Sequence, residues 1–341
     1  MTEELIKARV ENSTGILELN RPRALNSLTP EMIEIIDTHL KKWKDDDHIT
    51  QVIVYSNSPK GFCAGGDVRF ARDVVLSGQP ELADKFFAEE YVMNGDLAHF
   101  PKPYIALIDG VAMGGGLGIS VHGSHRVITE KAFAAMPEMA IGYIPDVGVP
   151  YFLQRMGHQS LALALFLVVT GWRLSPADMM WSGLATHFVP SEQLADFQQE
   201  AIDRGIDQAV AKFATEPVEE SELAKISDHI EATFNHDSWA EVQQAVADYP
   251  GREFVAVVEQ YIAQSSPSSI VAATELMAAA AKCADIREEL VLETKLGEAI
   301  RLEPDFAEGI RAVLVDKDRN PSFNPTTFAE VDASKYRDVL R

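Results

Sequence analysis

The sequence contains few cysteines and comparatively few basic residues. Its two cysteines, Cys63 and Cys283, lie far apart, so they form neither a disulfide framework nor a spaced metal site. There are 30 lysines and arginines against 52 aspartates and glutamates, which gives a net charge of −22. This acidity argues against general binding to nucleic acid or to anionic membranes, although local amides and a few cations can still hold an anionic small ligand.

A long apolar segment is also missing. The longest apolar run, "LALALFLVV" at 161–169, is too short for a bilayer, which needs about 20 residues, and it predicts a buried helix or strand. The opening stretch "MTEELIKARVEN" has no apolar core and no arginine-rich amphipathic pattern of a targeting segment. We therefore expect a cytoplasmic protein that binds neither membrane nor nucleic acid.

Strand-like and helix-like segments alternate up to about residue 190, which predicts an α/β fold. "GILELNRP", "QVIVYS" and "PYIALIDGVAM" read as strands, and Thr29 followed by Pro30 predicts the start of a helix. Beyond about residue 200 nearly everything is helical, except for the stretch "NPSFNPTTFAEVDASKYRDVL", which reads as irregular. We predict an α/β core over residues 1–200 and a helical C-terminal region over residues 201–341 that packs on it.

Two glycine-rich loops each follow a strand-like run and precede a predicted helix. They are "CAGGD", with Gly65, Gly66 and Asp67, and "MGGGLG", with Gly114 and Gly115. Glycine lets backbone N–H groups approach a ligand closely, and two such loops can direct two N–H groups at one oxygen. Such an oxyanion hole stabilises the charge that develops on a carbonyl. The alternative is that the glycines only turn the chain.

Other familiar motifs fail on inspection. Ile119 stands where a dinucleotide-binding fingerprint needs its third glycine. His122 and His125 have the spacing of one helical face, but no third metal ligand is evident. Cys63 is interpreted as a small packed residue and not as a nucleophile. The sequence therefore predicts no metal site.

Two acids stand out in "FAAMPEMAIGYIPDVG", where Glu138 and Asp146 each follow a proline within an apolar run. An isolated carboxylate is costly to bury, so it normally faces water or a partner. Burial would raise the pKa of Glu138 and suit it to proton transfer or nucleophilic attack near neutral pH. The two acids are therefore either exposed loop residues or the acid–base groups of a pocket.

The order of "LNRPRALNSL", "FCAGGDVRF", "KPYIALIDGVAMGGGLG" and "PEMAIGYIPD" resembles the crotonase, or enoyl-CoA hydratase/isomerase, superfamily. Within it, "EEYVMN", "MGGGLGISVHGSHRV", "GLATHFVP" and the tail "DFAEGIRAVLVDKDRNPSFNP" are similar to the 3-hydroxyisobutyryl-CoA hydrolases. The resemblance implies a crotonase-type spiral of β-β-α turns with a helical C-terminal region. It also implies a thioesterase that hydrolyses a short β-hydroxyacyl-CoA in valine degradation.

The resemblance also implies roles for particular residues. The backbone amides of Gly66 and Gly115 would hold the thioester oxygen, and Glu138 and Asp146 would converge on its carbonyl. Glu138 would either activate water or attack directly, and Asp146 would position the water or the substrate hydroxyl. Glu90, the second glutamate of "EEY", would contact the substrate. Further substrate contacts would come from the loop residues Gly65, Asp67 and Gly114. No cofactor is implied, because CoA is part of the substrate.

Gly118 stands where hydratases of the superfamily carry a second catalytic glutamate, which favours hydrolysis over hydration. The alternatives are an enoyl-CoA isomerase or hydratase of the same superfamily and a non-enzymatic acyl-CoA-binding protein. The stretch "VGVPYF" departs from the hydrolases and leaves the exact acyl group open. The resemblance further implies a possible homo-oligomer, and Arg21, Arg23 and Arg69 are candidates for binding the CoA phosphates.

Overall fold

A computed structural model describes residues 4–341 of the chain. The first three residues of "MTEELIKARVEN" therefore lie outside the described residues. The strands are β1 (Ile6–Glu11), β2 (Thr14–Leu19), β3 (Gln51–Ser56), β4 (Gly61–Cys63), β5 (Tyr104–Ile108), β6 (Val111–Met113), β7 (His125–Ile128), β8 (Phe133–Ala135) and β9 (His187–Phe188).

The helices up to residue 213 are α1 (Pro30–Lys44), α2 (Val68–Leu76), α3 (Pro80–Ala98), α4 (Gly115–Gly118), α5 (Val149–Leu153), α6 (Leu161–Thr170), α7 (Pro176–Ser182), α8 (Leu194–Arg204) and α9 (Ile206–Phe213). The remaining helices are α10 (Glu222–Phe234), α11 (Trp239–Asp248), α12 (Arg252–Ile262), α13 (Pro267–Ala280), α14 (Ile286–Arg301), α15 (Pro304–Ile310) and α16 (Ala333–Val339). None of the helices within residues 4–341 combines the length and the apolar character needed to cross a membrane.

The strands form two sheets. The larger has the order β1-β2-β3-β5-β7-β9, in which β1 is antiparallel to β2 and the other neighbouring pairs are parallel. The smaller has the order β4-β6-β8, with β4 and β6 parallel. Parallel strands are usually covered on both faces, which explains the continuous apolar run of β5. This architecture confirms the predicted α/β class.

The chain divides into two compact units whose segments alternate along the sequence. The first comprises the described chain up to Gly66, together with Val92–Ala134 and Arg173–Glu222. It contains the larger sheet and a core in which strand residues pack with α8 and α9: Ile16, Ile53, Ile105, Leu107, Val127, Phe197, Ala201 and Ile206. The second comprises Asp67–Tyr91, Ala135–Trp172 and Leu223–Arg341. The division at residue 200, which was drawn from composition, stays a prediction.

Local signals were correct where capping chemistry was explicit. Thr29 caps α1 by accepting the N–H of Met32, and Pro30 is the first helical residue. "LALALFLVV" forms the buried helix α6.

Two of the predicted elements were wrong. "PYIALIDGVAM" is not one strand: β5 and β6 belong to different sheets, and the chain breaks at Gly110, where φ is +124°. A Cβ at Gly110 would lie 2.8 Å from the Cα of Gly61, so this break needs glycine. The final stretch is not wholly irregular, because Asp332 caps the helix α16.

Candidate active site

The two glycine loops lie side by side in the first unit. Gly65 and Gly66 follow β4, Gly114 and Gly115 follow β6, and these two strands are parallel neighbours. A Cβ on Gly65, where φ is +106°, would lie 3.2 Å from the carbonyl oxygen of Met113 and 3.6 Å from the backbone nitrogen of Gly115. Only glycine fits this close approach without strain. The structure therefore brings together the two loops that the sequence singled out.

Among the described residues, no loop or turn hydrogen bond between backbone groups starts from the N–H of Gly66 or Gly115. Gly115 is the first residue of α4, and the first N–H groups of a helix have no partner within it. Leu28 forms a parallel bridge with Gly66 and donates its N–H to the Gly65 carbonyl at 2.8 Å. In such a bridge the flanking peptide groups make the bonds, so the N–H of Gly66 itself is not used. Gly118, the last residue of α4, is buried.

Glu138 lies in the second unit and begins a single 3₁₀ turn, Glu138–Ile141. Its side chain is only 6% exposed, and among the described residues its Oε2 has no hydrogen-bond partner. Burial, and then the negative charge of Asp146, raises the pKa of Glu138 well above its usual value. The alternative of an exposed loop acid is therefore wrong.

The C-terminal segments of the same unit hold this turn in place. The N–H of Ser266, in "SPSSI", donates to the Met139 carbonyl at 2.9 Å. A side chain at Gly142 would collide with the backbone of Asp305, and one at Gly309 would collide with the backbone of Ile141. The close packing explains why the tail motif accompanies the motif that contains Glu138.

Asp146 ends a buried chain of polar contacts. Tyr91 donates its hydroxyl hydrogen to Asp146 Oδ2 at 2.8 Å, and the hydroxyls of Tyr91 and Tyr143 lie 3.2 Å apart. Arg301 donates to the Tyr143 hydroxyl at 2.7 Å and to Asp84 at 2.6 Å. Burial raises the pKa of Asp146 to about 7, against the lowering effects of Tyr91 and of the Arg301 charge. Asp146 can therefore exchange a proton near neutral pH.

Glu90 and Asn94 lie one turn apart on α3, and both are buried. Among the described residues, Glu90 Oε1 and both polar side-chain atoms of Asn94 have no hydrogen-bond partner. Burial, and then the charge of Asp146, raises the pKa of Glu90 well above its usual value. Unpaired buried polar atoms are rare in native proteins, so this face of α3 is suited to pair with a polar group of a ligand.

Two further buried acids, Glu289 and Glu293, come from α14. Both oxygens of Glu293 accept the N–H of Gly148, at 2.9 and 3.2 Å. Burial raises the pKa of Glu289 to about 8, and burial together with the charge of Glu289 raises that of Glu293 well above its usual value. Sequence reasoning missed both acids, because "REELVLETKLGEAI" reads as an ordinary amphipathic helix. It also missed Tyr91, Tyr143 and Arg301, which no motif marks.

Several other predicted site residues have local structural contacts. Asp67 caps α2, and Arg21 and Arg69 each donate to a backbone carbonyl, while Arg23 is exposed. Their roles in substrate binding stay predictions.

The histidines considered as metal ligands do not share a helix. His125 lies in β7 and stacks on His187, with ring centroids 5.6 Å apart. Within residues 4–341 there is no group of three or more His, Cys, Asp or Glu side chains that could hold a metal ion.

Comparison with known proteins identifies the family. The family model described as enoyl-CoA hydratase/isomerase matches residues 14–340. The chain belongs to the enoyl-CoA hydratase/isomerase family. The superfamily resemblance drawn from the glycine loops and from "PEMAIGYIPD" is thereby confirmed.

Similar members of this family include both hydrolases and hydratases. The 3-hydroxyisobutyryl-CoA hydrolase, mitochondrial, of Danio rerio is 39% identical over 93% of this chain and 84% of its own length. The human protein of the same name is 38% identical over 93% of this chain and 83% of its own length.

Among solved structures, a carnitinyl-CoA dehydratase from Mycobacterium thermoresistibile is 35% identical, with a TM-score of 0.91 over 99% of this chain and 97% of that one. An enoyl-CoA hydratase from Rhodobacter sphaeroides is 31% identical, with a TM-score of 0.89 over the same shares of the two chains. These neighbours confirm the crotonase-type fold.

Proposed function

We propose that this protein hydrolyses a short β-hydroxyacyl-CoA thioester, 3-hydroxyisobutyryl-CoA, to the free acid and CoA. The observation that carries the proposal is the shared name of relatives that are 35–39% identical over more than nine-tenths of the chain. The buried acids Glu138 and Asp146 supply chemistry that suits a thioester carbonyl. Valine degradation is the pathway in which we place the reaction.

In the proposed mechanism, the amides of Gly66 and Gly115 donate to the thioester oxygen and stabilise the charge that develops on it. Glu138 acts as an ionised carboxylate, either by taking a proton from water or by attacking the carbonyl carbon. Water supplies the hydroxyl of the acid product, and the CoA sulfur leaves as the thiol. Since burial raises the pKa of Glu138, the carboxylate is a stronger base than an exposed glutamate.

Recognition of the acyl group is assigned to Glu90 and Asp146. A buried site that pairs with a substrate hydroxyl strongly rejects the analogue without it, because the protein groups are then left unpaired. Glu90 Oε1 has no partner among the described residues, which supports this role. We expect no cofactor beyond the CoA of the substrate. The cytoplasmic location stays a proposal, and the vertebrate relatives carry "mitochondrial" in their names.

The second candidate function is hydration or isomerisation of an enoyl-CoA, favoured by the names of the two most similar solved structures reported above. Gly118 argues against the hydratase scheme, which needs a second glutamate at that position. One assay separates the candidates: the protein is mixed with 3-hydroxyisobutyryl-CoA and with crotonyl-CoA, and free thiol and enoyl absorbance are followed. Thiol release from the hydroxylated ester supports hydrolysis. Loss of enoyl absorbance without thiol release supports the alternative.

A further inference from the structure

The backbone directly after Asp146 adopts an unfavourable conformation. Val147 has φ of +59° and Gly148 has φ of +74°, so two consecutive residues are left-handed. Glycine tolerates this region, but a β-branched residue such as valine rarely enters it. At this turn the N–H of Val149 donates to the Asp146 carbonyl at 3.1 Å, and the N–H of Phe152 donates to the Gly148 carbonyl at 3.0 Å. A backbone of this kind persists only where surrounding contacts hold it.

One further contact to this turn comes from far along the chain. The N–H of Gly148 donates to both carboxyl oxygens of Glu293, at 2.9 and 3.2 Å, across 145 residues of sequence. Glu293 is fully buried on α14. A buried carboxyl whose two oxygens both accept a hydrogen bond from one backbone N–H fixes the position of that peptide group.

We propose that Glu293 is a positioning residue. By accepting a hydrogen bond from the Gly148 N–H, it fixes the Val147–Gly148 turn and so orients the Asp146 carboxyl. This inference rests on the proposed function in one respect, because the effect of losing the Glu293 contact is measured as a change in thioester hydrolysis. Nothing in the hydrolase chemistry requires Glu293 to touch the substrate.

A second buried carboxyl, Glu289, lies beside Glu293 on the same helix, and the charge of Arg155 acts on it. Glu289 is fully buried one turn before Glu293, and among the described residues neither of its carboxyl oxygens has a hydrogen-bond partner. The groups that face Asp146 are the hydroxyls of Tyr91 and Tyr143, the guanidinium of Arg301, and four carboxyls: Glu90, Glu138, Glu289 and Glu293. Burial, and then the charge of Glu289, raises the pKa of Glu293, which favours the protonated form of one member of the pair.

The test compares three variants of the full chain. Glu293→Ala removes the acceptor of the Gly148 N–H. We expect kcat for 3-hydroxyisobutyryl-CoA to fall about 100-fold, because a small misplacement of a reacting group has an effect of this size. Glu293→Gln keeps one acceptor oxygen and should restore kcat to within about tenfold of wild type. Glu298→Gln, at an exposed acid on the same helix, is the matched control and should leave kcat at the wild-type value.

A second measurement does not depend on activity. The exchange of the Gly148 amide hydrogen, followed by NMR on the folded protein, should accelerate in Glu293→Ala and stay slow in Glu293→Gln. Wild-type kcat and slow Gly148 exchange in Glu293→Ala would overturn the inference. Equal impairment of the two Glu293 variants would do the same. If the wild-type protein releases no thiol at all, the proposed function fails, and the exchange rates still decide the role of Glu293.

Discussion

Replacing Asp146 by asparagine should stabilise the protein at alkaline pH while impairing hydrolysis. Burial raises the pKa of Asp146 from 3.8 to about 7. Because the folded-state pKa is raised, the stabilising contribution of the protonated group is complete below the unfolded pKa and is lost as pH rises through about 7. A shift of about three units, at about 1.4 kcal/mol per unit, amounts to about 4 kcal/mol. Asparagine does not titrate, and its side-chain oxygen can still accept from Tyr91.

The assay is the free energy of unfolding from denaturant titrations near pH 5 and near pH 8, where more than half of that loss occurs. The wild type should lose about 2–3 kcal/mol more than Asp146→Asn between these two conditions. Asp47→Asn, at an exposed acid, is the control and should follow the wild type. If the free energy of unfolding changes with pH equally in the wild type and in Asp146→Asn, the reasoning is refuted. Ionisation of Asp146 would then not destabilise the folded protein.

Four further predictions concern catalysis. Glu138→Gln should lower kcat about 10²–10⁴-fold while CoA binding measured by calorimetry is retained; a folded variant with more than half of wild-type turnover would contradict its role. Gly115→Val keeps the backbone N–H but places a side chain beside it, and we expect this obstruction to lower kcat about 10²–10³-fold, comparable to the loss of one oxyanion donor; normal kinetics would place the oxyanion site elsewhere. Glu90→Gln and Asn94→Leu should each lower the preference, in kcat/KM, for 3-hydroxyisobutyryl-CoA over isobutyryl-CoA. An equal preference in the wild type and both variants would show that this face of α3 does not recognise the substrate. Finally, kcat/KM should rise with pH through about 7, the pKa to which burial raises Asp146, and a flat profile would show that this ionisation does not matter.

Local chemistry in the sequence predicted a substantial part of this fold. Thr29 and Pro30 mark the start of α1 because capping depends on adjacent residues. The loops that contain Gly65 and Gly115 were singled out because glycine lets backbone N–H groups approach a ligand closely. The break at Gly110 was missed although Asp109-Gly110 is a turn signal, because apolar residues continue on both sides of it. The glycine is needed there for its close approach to Gly61.

The candidate site was predicted only where its residues lie within a motif. Glu138 and Asp146 stand out because acids among apolar neighbours are unusual. Arg301 and Glu293 approach the Asp146 segment from α14, about 150 positions later, and each looks like a surface residue of an amphipathic helix. Such long-range contacts are created by tertiary packing, and local sequence patterns do not encode them.

We propose above that the Glu138 carboxylate is required for the hydrolysis of a hydroxylated acyl-CoA thioester. The most direct measurement is a single turnover of 3-hydroxyisobutyryl-CoA on excess enzyme, with quenched samples analysed for thiol and for acid product, in the wild type and in Glu138→Gln. We expect the wild type to convert all of the thioester to 3-hydroxyisobutyrate and free CoA, whereas the variant should bind the thioester and leave it intact. Recovery of intact thioester from the wild type, or thiol release by Glu138→Gln at the wild-type rate, would contradict this proposal.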